Sequence, residues 1–413
     1  MEKTLQINTG SALLFNEKSE KLSGYDSVSI NAGHMIISQK VYEKLADMGI
    51  SINSGNMHIV EVTGDIVTLA GGTAITSATS YAGCYLVCDG HLIVEDAKGL
   101  EGITGLYAGC LFRPESVNLS TIRGITAASQ VVYPDKAKLH IGNLAIDEAA
   151  PITLDDDTLY WIHGSMKALD GAALEKMLQK GTTFHCGRLI IYTGLYEKYK
   201  ALVKADRFTF IPDGHRVVDD VALDAATVSL YGDKLYVLND LMIPHDQVPH
   251  IQDFSSLIVN NTATMPVAAA AAFQSVGKAG AYELYEGILL NINGFQTFVH
   301  EQCQTAIDRS LVYTLKINGA LYFAGDVTVQ DMDAIAAVYC NGLIGAPDQV
   351  RGVLESKVRE MNGTILNVDN MVKKEYGENS LLDGNPISMI KKLMGQIQGD
   401  GDGNTINSGS FML

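Results

Sequence analysis

The sequence predicts an α/β protein: a repeat solenoid of short stacked parallel strands, with Asn/Gly corners and one short helix per repeat on the outer face. Three observations predict it. A bend containing Asn and Gly recurs every ~20–25 residues, alternating apolar residues flank each bend, and a helix-like segment separates successive bends. One such unit cannot bury its apolar face alone, so neighbouring units must stack to form a core.

The bends keep one period over much of the chain. Asn8-Thr9-Gly10, Ile30-Asn31-Ala32-Gly33 and Ile52-Asn53-Ser54-Gly55 follow one another at nearly equal intervals. Four Asn-Gly pairs later in the chain recur at intervals of about 20–25 residues, a spacing typical of a solenoid. We expect Asn and Gly to supply the positive φ of a corner. The predicted corner residues are Asn31, Gly33, Asn53, Gly55, Asn293, Gly294, Asn318, Gly319, Asn341, Gly342, Asn362 and Gly363.

Short apolar arms flank each bend, as in Leu315-Lys316-Ile317 before Asn318 and Leu321-Tyr322-Phe323 after Gly319. Asn-Gly between alternating apolar residues is also typical of a tight hairpin. Isolated three-residue hairpins are marginal, whereas stacked arms share a core. We therefore expect each arm to pair in parallel with the equivalent arm of the next repeat.

Helix signals lie between the bends. Ser38 precedes a segment in which Val41, Leu45 and Met48 form an apolar stripe, and Gly49 ends it. Further helices of about three turns are predicted after Asp170 (ending before Gly181), after Thr193, after Thr328 (with Asp331 in a capping-box position), from Pro266 and from Pro347.

This unit of short strand, Asn-containing bend and helix resembles the leucine-rich repeat. The likeness lies in the architecture, because here Asn follows the last apolar residue of the strand almost directly, as at Asn31, Asn53, Asn318 and Asn362. The leucine-rich repeat places its Asn three residues after the last strand Leu, so the corner is a variant. The resemblance implies a curved scaffold used for binding rather than catalysis.

Composition narrows the class of partner. The net charge of −17, without a basic cluster, argues against nucleic acid. Neither a secretory signal nor an apolar run long enough to span a bilayer is present, and six Cys in 413 residues indicate buried thiols in a reducing cytoplasm. We expect no cofactor.

The last residues form a separate segment. Residues 1–394 are predicted to form one solenoid, and residues 395–413 a Gly/Asp hinge followed by a strand or tail. Ile-Asn-Ser-Gly returns at 406–409, and the sequence then reads Ser-Phe-Met-Leu. The tail either folds back as a last coil or is donated to a neighbouring subunit. The predicted self-association residues are Ile406, Phe411, Met412 and Leu413.

Chemical motifs are weak. No phosphate-binding loop, dinucleotide fingerprint or nucleophile elbow occurs, and we assign no catalytic, cofactor-binding or metal-binding residue. His34, His91 and His215 each follow a corner Gly, which would form a ladder if the corners were equivalent, but a half-exposed strand start is the plainer interpretation. Residues Asp155–Asp157 are interpreted as a solvated loop rather than a cation site.

Three functional hypotheses follow. The first is a non-enzymatic structural protein that self-associates through solenoid ends or tail into a homo-oligomer or filament. The second is an intracellular leucine-rich-repeat-like scaffold that binds a protein or peptide on its sheet face, with tyrosines as anchors. The third is an enzyme whose site is spread over the solenoid face. The candidate anchors are Tyr160, Tyr192, Tyr231 and Tyr322.

Overall fold

A computed structural model of the 413-residue chain describes residues 3–15, 22 and 24–368, together with the backbone of residues 404–412. The chain divides into two compact units. The first contains Met1–Leu189, Tyr199–Phe208 and Gly384–Leu413, and the second contains Ile190–Lys198 and Thr209–Asp383.

The first sheet illustrates how a repeat is built. Strands β1 (Thr4–Leu14), β2 (Ser27–Ser38) and β3 (Ser51–Val60) are each long enough to contain both arms and the bend. They pair in parallel with Asn8 opposite Asn31 and Asn31 opposite Asn53, so the predicted period is the register of the sheet. Helix α1 (Gln39–Asp47) connects β2 to β3.

The rest of the first unit contains the second sheet and most of the third. The second sheet comprises β4 (Asp65–Thr68), β5 (Thr73–Ile75), β6 (Cys84–Val94), β7 (Gly105–Pro114) and β8 (Ile125–Tyr133). The third comprises β9 (Ala137–Ile141), β10 (Leu144–Ala145), β11 (Leu159–Ala168), β12 (Thr183–Tyr192) and β13 (Val203–Ile211). Helices α2 (Ala150–Thr153) and α3 (Gly171–Gln179) lie in this unit, whereas α4 (Thr193–Tyr199) belongs to the second unit except for its last residue.

Three further sheets lie in the second unit. The fourth sheet comprises β14 (Arg216–Val218), β15 (Val221–Ala222), β16 (Lys234–Val237), β17 (Leu241–Met242), β18 (Ser256–Pro266) and β19 (Gly277–Tyr285). The fifth and sixth sheets share their repeats, which contribute β20 (Ile288–Ile292), β21 (Phe295–Phe298), β22 (Tyr313–Ile317), β23 (Ala320–Phe323), β24 (Ile335–Cys340), β25 (Leu343–Ala346), β26 (Val358–Met361) and β27 (Thr364–Asn367). The helices are α5 (Thr227–Tyr231), α6 (Ala270–Val276), α7 (His300–Asp308) and α8 (Asp348–Lys357).

The last strand, β28 (Asn404–Met412), pairs in parallel with β1 in the first sheet, whose order is β28-β1-β2-β3. The described strands therefore fall into five groups of four repeats. In each of the other groups the first repeat is a pair of short strands: β4 and β5, β9 and β10, β14 and β15, or β20 and β21. The α/β class and the parallel pairing are as predicted. The described strands form six sheets, and this topology does not confirm one continuous solenoid.

Alternating burial along the arms forms the cores. In β1, Leu5 and Ile7 before the bend are buried, as is Leu14 after it, and they lie in one cluster with Val41 and Leu45 of α1. Fully burying an aliphatic side chain contributes about 1.5–3 kcal/mol, which no single short arm can supply for itself. Each repeat is therefore stable only against its neighbours.

Helix prediction succeeded where a cap and a stop were both present. Ser38 Oγ accepts a hydrogen bond from Val41 N at 3.3 Å, and Gly49 beyond α1 has a φ of +70°. Asp170 caps α3 in the same way, and Gly181 has a φ of +68°. Helices near Thr193, Pro266 and Pro347 are present as α4, α6 and α8, although α4 and α6 have seven residues each.

The prediction of one helix per repeat was wrong. The segment after Thr328 forms only a short 3₁₀ helix at Gln330–Ala334, and the β6–β7 connection contains only the 3₁₀ turn Ala97–Leu100. Many of the returning segments are too short, or too rich in turn-forming residues, for the three-turn helix expected of them.

The corner glycines have a different cause from the one predicted. Gly33, Gly55, Gly319, Gly342 and Gly363 are outside the positive-φ region. They are required because the bends stack closely. A Cβ on Gly319 would lie 2.1 Å from the carbonyl oxygen of Gly294, and one on Gly342 would lie 2.1 Å from that of Gly319.

We expect Gly342→Ala to lower the free energy of unfolding by about 1–3 kcal/mol, because the added methyl forces two bends apart. Gly294→Ala is the matched control, since a Cβ there has no atom within 4 Å and Gly294 also lacks a positive φ. Urea denaturation of both variants measures the difference. Equal stability of the two variants would contradict close stacking as the reason for glycine.

Candidate self-association site in the first sheet

The first sheet has an uncommon construction, because one of its four strands comes from the far end of the chain. Strand β28 lies beside β1 with Ile406 opposite Ile7 and Asn407 opposite Asn8. The repeated Ile-Asn-x-Gly letters therefore align across all four strands. The tail pairs within its own chain, in the position of a first repeat beside β1, whereas the sequence predicted a last coil or a strand donated to a neighbouring subunit.

Asparagine side chains join successive bends of this sheet. Asn31 Nδ2 donates to Asn8 Oδ1 at 2.8 Å, and Asn53 Nδ2 donates to Asn31 Oδ1 at 2.9 Å. The same contact joins Asn318 Nδ2 to Asn293 Oδ1 at 3.0 Å in the second unit. Each amide both donates and accepts, so a ladder extends by one hydrogen bond for every added repeat.

A shallow groove of about 420 Å³ follows these bends. Its lining is polar or small: Asn8, Thr9, Asn31, Ala32, Gly33, Asn53, Ser54 and Gly55. The hydroxyls of Thr9 and Ser54 donate to the backbone oxygens of Ser11 and Asn56, at 2.8 Å each. The hydroxyl hydrogens are thus used within the bend, which favours continuation of the stack over capture of a small polar ligand.

Terminal strands share an exposed apolar position. Strands β3, β8 and β13 are each last in the order of their sheet, and β19, paired with β18, is the last strand along the chain in the fourth sheet. Each of the four has an exposed apolar side chain just before its final, buried residue. These exposed side chains are 44%, 39%, 45% and 45% accessible, and they belong to Ile59, Val132, Phe210 and Leu284. An edge strand with an apolar side chain favours pairing with a further strand.

The predicted self-association residues are only partly described. Phe411 and Met412 are opposite Ala12 and Leu13 in the β28–β1 register, and Ile406 is opposite Ile7. Leu413 and the predicted hinge at 395–403 lie outside the described residues. Three of the four tail residues are thus assembled on one strand beside β1.

The three histidines that follow a Gly do not form a ladder. His34 lies in β2, His91 in β6 and His215 just before β14, so they belong to three different sheets. His34 instead contacts a residue of the second sheet: its Nε2 lies 2.9 Å from Tyr107 Oη. Burial, with a contribution from Asp89, raises the pKa of Tyr107. This contact joins the first and second sheets within the first unit.

A His–Asp pair in the second unit was not predicted. Buried Asp331 accepts from Gln304 Nε2 at 2.6 Å and from Thr328 N at 2.7 Å, and its Oδ2 is 2.8 Å from His300 Nδ1. Although burial opposes ionisation, these hydrogen bonds lower the pKa of Asp331 to about 2. The predicted capping relation holds, since Asp331 N donates back to Thr328 Oγ1 at 3.4 Å.

The thiol of Cys303, near the His300–Asp331 pair, is not a reactive nucleophile. Cys303 is fully buried, and burial raises its pKa to about 11, so the thiol stays protonated at neutral pH. Cys186, next to His185, has a pKa raised to about 11 for the same main reason. The cysteines are free thiols, five of them buried, as the composition predicted.

The acidic run is paired with lysines. Lys138 Nζ lies 2.7 Å from Asp155 Oδ2, and Lys180 Nζ lies 2.8 Å from Asp156 Oδ1. Within the described part of the chain, no group of three or more His, Cys, Asp or Glu side chains could hold a metal ion.

Comparisons with protein-family models, with curated proteins and with solved structures found no match. Among the residues described, no helix is both long and apolar enough to cross a bilayer. The geometry defines a class, an α/β protein of parallel-stranded repeats, and function has to be inferred from the sheets themselves.

We expect Asn31→Ala to destabilise the first unit by about 2 kcal/mol and Asn53→Ala by about 1 kcal/mol, because a hydrogen bond contributes about 1 kcal/mol. Asn31 loses two ladder bonds and Asn53 loses one. Thermal unfolding followed by circular dichroism gives the ranking. Asn53→Ala as the more damaging change would contradict the ladder.

We expect Asp331 to make stability depend on acid pH. Its pKa is lowered from 3.8 to about 2, so its contribution is complete above pH 4 and disappears as the pH falls towards 2. The stability difference between wild type and Asp331→Asn should shrink over that range. Asp333→Asn, which removes an exposed carboxylate from the same turn, is the control for the loss of one negative charge.

Proposed function

We propose that this chain is a non-enzymatic structural protein that self-associates into a homo-oligomer or filament. The observation that supports it most directly is the first sheet, in which a strand distant in sequence continues the repeat register on β1. A sheet that accepts a distant strand in this way can accept an equivalent strand from another copy, because the backbone groups that pair are the same.

The terminal strands add to this support. Ile59, Val132, Phe210 and Leu284 occupy equivalent positions on the last strand of each of four groups of described repeats. Recurrence in four groups indicates a common constraint rather than scattered surface apolarity. Edges that join head to tail without closing into a ring give an open filament. In this proposal the repeats form a solenoid-like element within each group, related in architecture to leucine-rich repeats.

The alternative is an intracellular scaffold that binds a protein or peptide on a sheet face. The burial of the tyrosines predicted as its anchors argues against this alternative. Tyr160 is 4% exposed and its hydroxyl lies 3.1 Å from Asp155 Oδ2, while Tyr192, Tyr231 and Tyr322 are half-buried. The third hypothesis, an enzyme on the sheet face, finds its best candidate in His300 and Asp331. Asp331 is buried, and it also accepts hydrogen bonds from Thr328 N and Gln304 Nε2, which is typical of a structural carboxylate. We place the protein in the cytoplasm, in keeping with its free thiols.

We expect purified full-length protein to form oligomers whose mass increases with concentration, because edge pairing is bimolecular. Light scattering after size exclusion measures the mass, and negative-stain electron microscopy shows the form of the particles. A Phe210→Lys/Leu284→Lys variant should associate less, since charge on an edge opposes pairing. Arg207→Lys is a matched surface control on the same strand as Phe210. A monomer at every concentration, with no ordered particles, would refute the proposal.

A further inference from the structure

We propose that copies of this protein exchange the strand Asn404–Met412, so that β28 of one copy pairs with β1 of another. The partner is thus a second copy of the chain, and the site is the β1 edge of the first sheet. This inference rests on the proposed function and specifies its mechanism. Its test separates the two.

The first argument is the equivalence of the five groups. In four of them the strands of the first repeat precede the second repeat directly in sequence, as β4 and β5 precede β6. In the first sheet the same position is filled by β28, with no peptide connection from β28 to β1. The first sheet is therefore the group whose first repeat is held by noncovalent pairing.

The second argument is the register. Eight residue pairs join β28 to β1, from Leu5 opposite Asn404 to Leu13 opposite Met412. The bend letters Ile-Asn-Ser-Gly at 406–409 equal those of β3 at 52–55, so β28 carries the sequence of a repeat already suited to this sheet. A strand from a second copy would form the same eight pairs.

The third argument concerns the competition between the two modes. Strand β28 can pair with β1 of its own chain or with β1 of another copy, and both pairings form the same contacts. The effective concentration of β28 near β1 of its own chain therefore decides which pairing prevails. Residues 368–403 connect β27 to β28, and a fully extended chain of that length reaches about 120 Å. Linked sites of this kind have effective concentrations on the order of 1 mM, so pairing between copies becomes competitive as the protein concentration approaches that value.

The experiment uses two full-length variants, each with one added cysteine. Gln6 is exposed and lies opposite Thr405 in the register, so Gln6→Cys and Thr405→Cys are placed on separate chains. Neighbouring strands are about 4.8 Å apart, within the Cα separation of a disulfide. The variants are mixed at concentrations up to about 1 mM, oxidised mildly and run on non-reducing gels.

We expect a covalent dimer containing one chain of each variant, with a yield that rises with concentration. Gln6→Cys mixed with Ser410→Cys is the off-register control, and it should give at least tenfold less product. The double variant Gln6→Cys/Thr405→Cys should form an internal disulfide at low concentration, which verifies the register independently of exchange. A disulfide in the double variant, without any dimer in the mixture, would overturn the proposal.

A second variant separates this inference from the proposed function. In parallel pairing, adjacent residues direct their N–H groups to opposite sides, so Asn407→Pro/Ser408→Pro must remove at least one donor to β1. Loss of oligomers in this otherwise intact chain is the expected result. Oligomers that persist there would refute strand exchange and leave the structural function standing. Cross-linked pairs without any larger assembly would refute filament formation and leave exchange standing as the source of a dimer.

Discussion

Close approach of consecutive bends is the constraint on which the rest of this structure depends. Parallel strands one repeat apart must bring equivalent atoms within van der Waals distance, and at the corners the backbones themselves come into contact. Only a residue without a Cβ fits beneath the carbonyl oxygen of the previous bend. The amide ladder from Asn8 to Asn53 then satisfies side-chain polar groups that stacking places side by side.

That constraint explains why much of the fold could be read from the sequence. The regular period is visible because the Asn and Gly positions tolerate few other residues, and parallel pairing follows from the period. Helices α1 and α3 were predictable because Ser38 and Asp170 cap them and Gly49 and Gly181 end them. The predicted reason for the corner glycines, a positive φ, was wrong. Close packing and a positive φ both require glycine, so the sequence alone does not distinguish the two causes.

The division into groups of four repeats could not be predicted. It depends on the residues of the last strand in each group, and these residues are not part of the repeated motif. Ile59 and Val132 resemble any other strand residue in the sequence, and only the order of the described strands shows that β3 and β8 are each last in their sheet. The His300–Asp331 pair joins residues 31 positions apart, and no short motif records it. The tail was recognisable by its returning letters, but its choice of β1 as neighbour depends on which edge is open.

The origin of the first sheet's strands also has a consequence for synthesis of the protein. A ribosome adds about 5–20 residues per second, so β28 is made roughly 20–80 seconds after β1. Throughout that interval the nascent chain presents an incomplete sheet, with the polar backbone of β1 unsatisfied along one side. Chains growing on the same messenger RNA hold such sheets close to one another. The order of translation, and not only the final fold, thus determines which tail reaches a given sheet first.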